Sequence, residues 1–165
     1  MNVLMTAASR RVPLLRAFQA ALRALGRGRV VVTDIDPSSP AVHLADRAYR
    51  VPISSDPGYV DALLEICVAE KIGLVVPTID DELEILADAR GRFDAAGAVL
   101  ACSPAGTAAL CNDKYRTCRH LSAHGVEAAV SWLPGEIPAD APETLFIKPR
   151  VGRGGVGAHL IRNRR

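Results

Sequence analysis

Five short apolar runs, at 2–6, 29–33, 48–51, 73–77 and 98–102, alternate with stretches whose apolar residues recur at helical spacing. Leu14, Phe18, Ala21, Leu22 and Leu25 share one helical face. Val60, Leu63, Leu64 and Cys67 share a second, and Leu83, Leu86, Ala89 and Phe93 a third. Strand and helix in strict alternation predict βαβ units and a parallel sheet. The middle of 29–33 is apolar on both faces, as a strand covered on both sides should be. Right-handed crossovers place every strand's carboxyl end on one edge, where open α/β sheets hold ligands. The loops 6–11, 33–36 and 77–82 fall on that edge. They carry Arg10, Arg11, Asp34, Thr78, Asp80 and Glu82, the candidate substrate-binding residues. Each has a plainer reading beside it. The arginines can simply be solvated, Asp34 can cap its own loop, and Thr78 or Asp80 can cap the next helix.

The alternation stops after Cys102. Ser103-Pro104 opens a short helix through Leu110, and Asn112 reads as the N-cap of another carrying Tyr115, Cys118 and Leu121 and ending at Gly125. Residues 128–133 read as a strand, and 134–142 as a turn-rich loop. The domain boundary is placed near Cys111, giving domains 1–111 and 112–165.

The last segment has its own logic. The apolar run 145–147 ends at Lys148 and Pro149; then Gly152, Gly154, Gly155 and Gly157 follow within six positions, with Arg150 and Arg153 among them. Residues 152–157 fit G-x-G-x-x-G, yet that fingerprint needs a following helix and strand. Here 158–161 reads as a strand, so the unit is strand, glycine loop, strand. Clustered backbone N–H groups beside cations can cradle phosphate; a flexible hairpin tip is the other reading. Lysine is scarce: Lys71, Lys114 and Lys148 are the only three among 20 lysines and arginines. Lys71 follows a helix and reads as solvated. Lys114 stands at a helix start, where a cation opposes the helix dipole.

Composition removes other classes. Net charge is +2 and aromatics are 4%, which speaks against a nucleic-acid or membrane partner. Cys67, Cys102, Cys111 and Cys118 form no C-x-x-C pair and no metal spacing, so reduced thiols in a cytoplasmic protein are expected. No apolar run approaches the length of a membrane span.

Three features in one order carry a resemblance: Val-Leu-Met-Thr followed by Ala-Ala-Ser-Arg-Arg at 3–11, Cys-Asn-Asp-Lys-Tyr at 111–115, and Phe-Ile-Lys-Pro-Arg with the glycine loop at 146–157. The chain resembles the ATP-grasp superfamily, specifically proteins similar to the carbamoyl-phosphate synthase large subunit. The resemblance implies a Rossmann-like pre-ATP-grasp domain followed by an incomplete α+β ATP-grasp lobe. It implies ATP-dependent activation of a small-molecule carboxylate through an acyl phosphate, which an amine or other nucleophile then attacks. It places Lys114, Lys148, Arg150, Gly152, Arg153, Gly154, Gly155 and Gly157 at ATP. Mg²⁺ is expected as well, with its ligands in a second lobe beyond residue 165, so the chain alone is not expected to be a complete enzyme. It departs from the family at Ser9, where a glycine is usual, and at Gly155, where a serine is usual. A homo-oligomer is among the assemblies it admits. The competing reading is a non-catalytic ligand-binding or assembly module built on the sheet domain. A nicotinamide oxidoreductase is disfavoured by the glycine-free loop after the first strand.

Overall fold

The computed structural model describes residues 1–152 and 154–162. The chain divides into two compact units, Met1–Ala105 and Gly106–Arg165. The first is an α/β unit with a sheet of five parallel strands: β1 (Asn2–Met5), β2 (Val30–Asp34), β3 (Arg47–Arg50), β4 (Ile72–Val76) and β5 (Val99–Leu100). Their order is β3-β2-β1-β4-β5. Chain direction thus reverses its march across the sheet beside β1, the place where such sheets open a crevice at their carboxyl edge.

Alternation along the strands divides the core in two. Leu4, Val31 and Val75 point to one face, where they meet Leu63, Ile66 and Cys67 of α3 (Tyr59–Ala69), Leu86 of α4 (Asp80–Asp88) and Phe93 of α5 (Arg90–Ala95). Val3, Met5, Val30 and Val32 point to the other, against Leu15 and Leu22 of α1 (Val12–Ala24) and Ala41 of α2 (Pro40–Leu44). Every residue of β2 is buried, which the unbroken apolar run anticipated. Each such valine removed from water contributes roughly 1.5–3 kcal/mol before the entropy of ordering is charged against it.

The helical stretch over 83–93 is broken into α4 and α5. Ala89 sits between them at φ −86 and ψ 4. Arg90 then turns its guanidinium onto the carbonyls of Leu100 and Cys102, at 2.9 and 2.5 Å, tying the second helix to the end of β5.

The amino edge of the sheet is closed by polar groups. Asn2 donates to the Glu70 carbonyl at 2.6 Å and accepts from the Arg29 amide at 3.1 Å. The Glu70 carboxylate, almost fully buried, receives Arg29 at 2.6 Å, Arg47 at 3.2 Å and the Tyr49 hydroxyl. A buried carboxylate with three donors is held by charge and hydrogen bonding together.

The second unit contains most of α6 (Ala105–Asn112), α7 (Lys114–Ala123), a 3-10 turn (Pro134–Glu136) and an antiparallel pair, β6 (Leu145–Ile147) with β7 (His159–Ile161). The N-cap of α7 is Asp113 rather than Asn112; its carboxylate accepts from the Tyr115 and Arg116 amides at 3.1 Å. Residues 128–133 form no strand, because β6 pairs only with β7 and no neighbour is available to them among the described residues. No residue of α7 is fully buried. Among the described residues, no helix is long and apolar enough to cross a membrane.

Candidate functional site

At the carboxyl edge of the first unit the three polar loops are sewn together. The Thr6 amide donates to Val76, the Ala8 amide to Thr33, and the Arg11 guanidinium to the Thr78 carbonyl. The Thr78 hydroxyl reaches the carbonyls of Thr6 and Ala7 at 2.8 and 2.9 Å. The loop after β1 turns so tightly that Ala7 and Ser9 both take left-handed backbone, at φ +46 and +41. Ser9 therefore occupies a conformation natural to glycine. Its amide donates to Asp34 Oδ2 at 2.6 Å, and Asp34 Oδ1 receives the Asp36 amide at 3.0 Å. Both Asp34 oxygens are thus engaged by backbone.

Glu82 points inward and is fully buried. One oxygen accepts from the Thr78 and Ile79 amides at 2.8 and 3.2 Å, and the other from the Tyr59 hydroxyl at 2.5 Å. Burial, and then the Glu82 carboxylate, push the Tyr59 hydroxyl far above its ordinary pKa. It stays protonated and acts as a donor. The Thr6 and Thr33 hydroxyls are buried without a hydrogen-bond partner among the described residues. Arg10, Arg11 and Asp80 are exposed, and Thr78 is half-buried. Of the six edge residues, Arg11 and Thr78 meet directly, Glu82 meets Thr78 through its amide, and Asp34 meets Ser9.

In the second unit, α7 and the glycine flap meet. The Lys114 amide donates to the Arg150 carbonyl at 2.9 Å, and its ammonium to the Gly152 carbonyl at 2.7 Å. Lys148, at the end of β6, is exposed, and its ammonium has no partner among the described residues. Arg150 makes an ion pair with Asp113 and lies over the Tyr115 ring, 5.6 Å from its centre. That guanidinium holds the Asp113 carboxyl below the ordinary aspartate range. Gly152, Gly154, Gly155 and Gly157 all have positive φ, between +65 and +128. A side chain on Gly157 would strike Pro149 at 2.9 Å, whereas Gly152, Gly154 and Gly155 face open space. Arg153 lies outside the described residues.

This arrangement suits phosphate: two cations stand at the root of a loop whose backbone turns in the left-handed region, with room above it. Among the described residues no group of three His, Cys, Asp or Glu side chains could hold a metal ion. A separate open groove of about 600 Å³ runs between α7 and residues 129–132, lined by Cys118, Arg119, Ser122, Val130, Trp132 and Glu136; it contains none of the candidate site residues.

Sequence reading missed Tyr59 and Asp113 as partners of site residues. Tyr59 lies just before the apolar face read at Val60, Leu63, Leu64 and Cys67, and Asp113 stood beside Asn112, an equally good cap.

Residues 3–101 match the family described as PylC-like, N-terminal domain. No curated protein matches the sequence. Among solved structures, the chain is similar to an L-amino acid ligase from Bacillus licheniformis, at 19% identity and TM-score 0.69, covering 99% of this chain and 38% of that one. It is similar to pyruvate carboxylase of Rhizobium etli, at 18% identity and TM-score 0.68, covering 99% of this chain and 16% of that one. It is also similar to the biotin carboxylase domain of the Hydrogenobacter thermophilus 2-oxoglutarate carboxylase, solved with MgADP and bicarbonate. The identity there is 18% and the TM-score 0.65, with 98% of this chain and 37% of that one covered. At these identities the likeness is one of fold, and the chain spans well under half the length of each of the three.

Proposed function

From the premise that this chain belongs to the PylC-like N-terminal domain family, we propose that it is the amino-terminal portion of an ATP-grasp ligase. In this reading the first unit contributes to the site of a small-molecule carboxylate, and the second supplies the phosphate half of an ATP site. ATP would activate the carboxylate as an acyl phosphate for attack by an amine or another nucleophile. Lys114 and Lys148 neutralise phosphate charge, and the backbone of 152–157 closes over it. Arg10, Arg11, Asp80 and Thr78 are the edge residues able to meet a substrate; Asp34 and Glu82 hold the loops that present them. Mg²⁺ beside ATP, a cytoplasmic setting and a carbamoyl-phosphate synthase-like organisation belong to the same proposal.

The observation that carries it is the Lys114 ammonium, 2.7 Å from the Gly152 carbonyl, with Lys148, which has no partner among the described residues, at the same flap's root. Lys148 is exposed, and the half-buried Lys114 holds its charge against the flap's backbone. In this reading the phosphate half of the site should by itself bind ATP at about millimolar strength, roughly −4 kcal/mol. Lys148→Ala should weaken that binding about tenfold, the scale of one charged hydrogen bond. Lys71→Ala, far along the chain at the end of α3, should leave it unchanged. Ligand-observed NMR titration decides: equal affinity in all three proteins would mean that the glycine loop is a hairpin tip.

A further inference from the structure

Arg150 stands beside the proposed phosphate cradle, and its charge makes it an obvious candidate for touching phosphate. Its contacts point elsewhere. Asp113 receives the Arg150 guanidinium on both carboxylate oxygens, Nε to Oδ1 at 3.2 Å and Nη2 to Oδ2. The Asp113 side chain is 11% exposed and that of Arg150 49%. Asp113 is also the N-cap of α7, so one carboxylate joins the helix start to the flap's root. The Arg150 carbonyl in turn accepts the Lys114 amide, one residue into the helix. The Tyr115 ring lies beneath the guanidinium, and its hydroxyl donates to Glu136 at 2.7 Å. A forked cation bound at two points and stacked on a ring is fixed in orientation as well as place.

We propose that Asp113 and Arg150 form a latch that fixes the root of the glycine flap against the first turn of α7. Arg150 is then a positioning residue: it sets the separation of Lys114 and Lys148 and does not itself meet phosphate. The inference rests on the nucleotide reading above for its consequence, although the latch itself can be measured without nucleotide.

The geometry separates two roles for the same residue. An arginine that met phosphate directly would not need Asp113, whose carboxylate occupies the same fork that a phosphate would use. A latch needs both partners, and removing either should equal removing both. Asp113→Asn is informative because asparagine remains a good N-cap while its charge is gone. Arg150→Lys keeps the charge and loses the fork.

The experiment is residue-resolved amide exchange by NMR on the 165-residue chain, followed by ATP titration of the same samples. Arg150→Ala, Arg150→Lys and Asp113→Asn should each speed exchange of the Lys114 amide about tenfold, and the double variant no more than either single one. ATP affinity should fall by the same factor in all of them. Unchanged Lys114 exchange in Arg150→Ala would overturn the latch. So would an ATP affinity that falls in Arg150→Ala and holds in Asp113→Asn, which would make Arg150 a direct ligand. A wild-type chain that binds no ATP would instead defeat the nucleotide reading, and the exchange data would still decide the latch.

Discussion

The Tyr59 hydroxyl donates to Glu82 at 2.5 Å inside the core, joining α3 to the start of α4. Among the described residues the donors to the Glu82 carboxylate are that hydroxyl and the amides of Thr78 and Ile79, with no cation beside them. The loop that presents Thr78 and Asp80 therefore depends on an aromatic residue about twenty positions upstream.

Tyr59→Phe is expected to destabilise the first unit by about 1.5–3 kcal/mol, because it leaves a buried charged acceptor short of a donor. Urea unfolding followed by circular dichroism measures this. A loss under about 0.5 kcal/mol would show that the two amides alone suffice for Glu82.

Glu70 sets the pH response at the opposite edge. Its carboxyl is held below the ordinary glutamate value, first by the Tyr49 hydroxyl and then by Arg29 and Arg47, against the opposing effect of burial. A depressed folded-state pKa contributes stability that is complete above the unfolded glutamate range. That contribution is lost as pH falls through the folded value. Stability of the wild type should thus decline on acidification more steeply than that of Glu70→Gln, which has no such proton to gain. Thermal unfolding at neutral and acidic pH compares the two slopes; identical slopes would remove Glu70 from the account.

Ser9→Gly should stabilise the first unit by roughly 0.5–1 kcal/mol. The left-handed backbone at φ +41 costs a non-glycine residue about 1–2 kcal/mol, part of which the greater freedom of glycine in the unfolded chain takes back. The amide that binds Asp34 is retained. Chemical denaturation gives the value, and a destabilised variant would mean that the serine side chain stabilises the loop in a way that its backbone does not reveal.

The sheet, its parallel sense and the edge that gathers the loops were legible in the sequence, because period and turn residues are local signals. Each strand needed only its own apolar run and each helix its own spacing. The glycine flap was legible for the same reason, whereas the left-handed backbone at Ser9 appeared only in the structure. The tertiary structure decided which polar residues are committed. Glu82 turns inward to a tyrosine 23 positions away, Ser9 meets an aspartate 25 away, and Asp113 meets an arginine 37 away. It also moved the N-cap of α7 from Asn112 to Asp113. Either residue can cap a helix on local grounds. The local sequence holds no record of which donor a carboxylate will meet, because that partner arrives only when the strands and helices between them have packed.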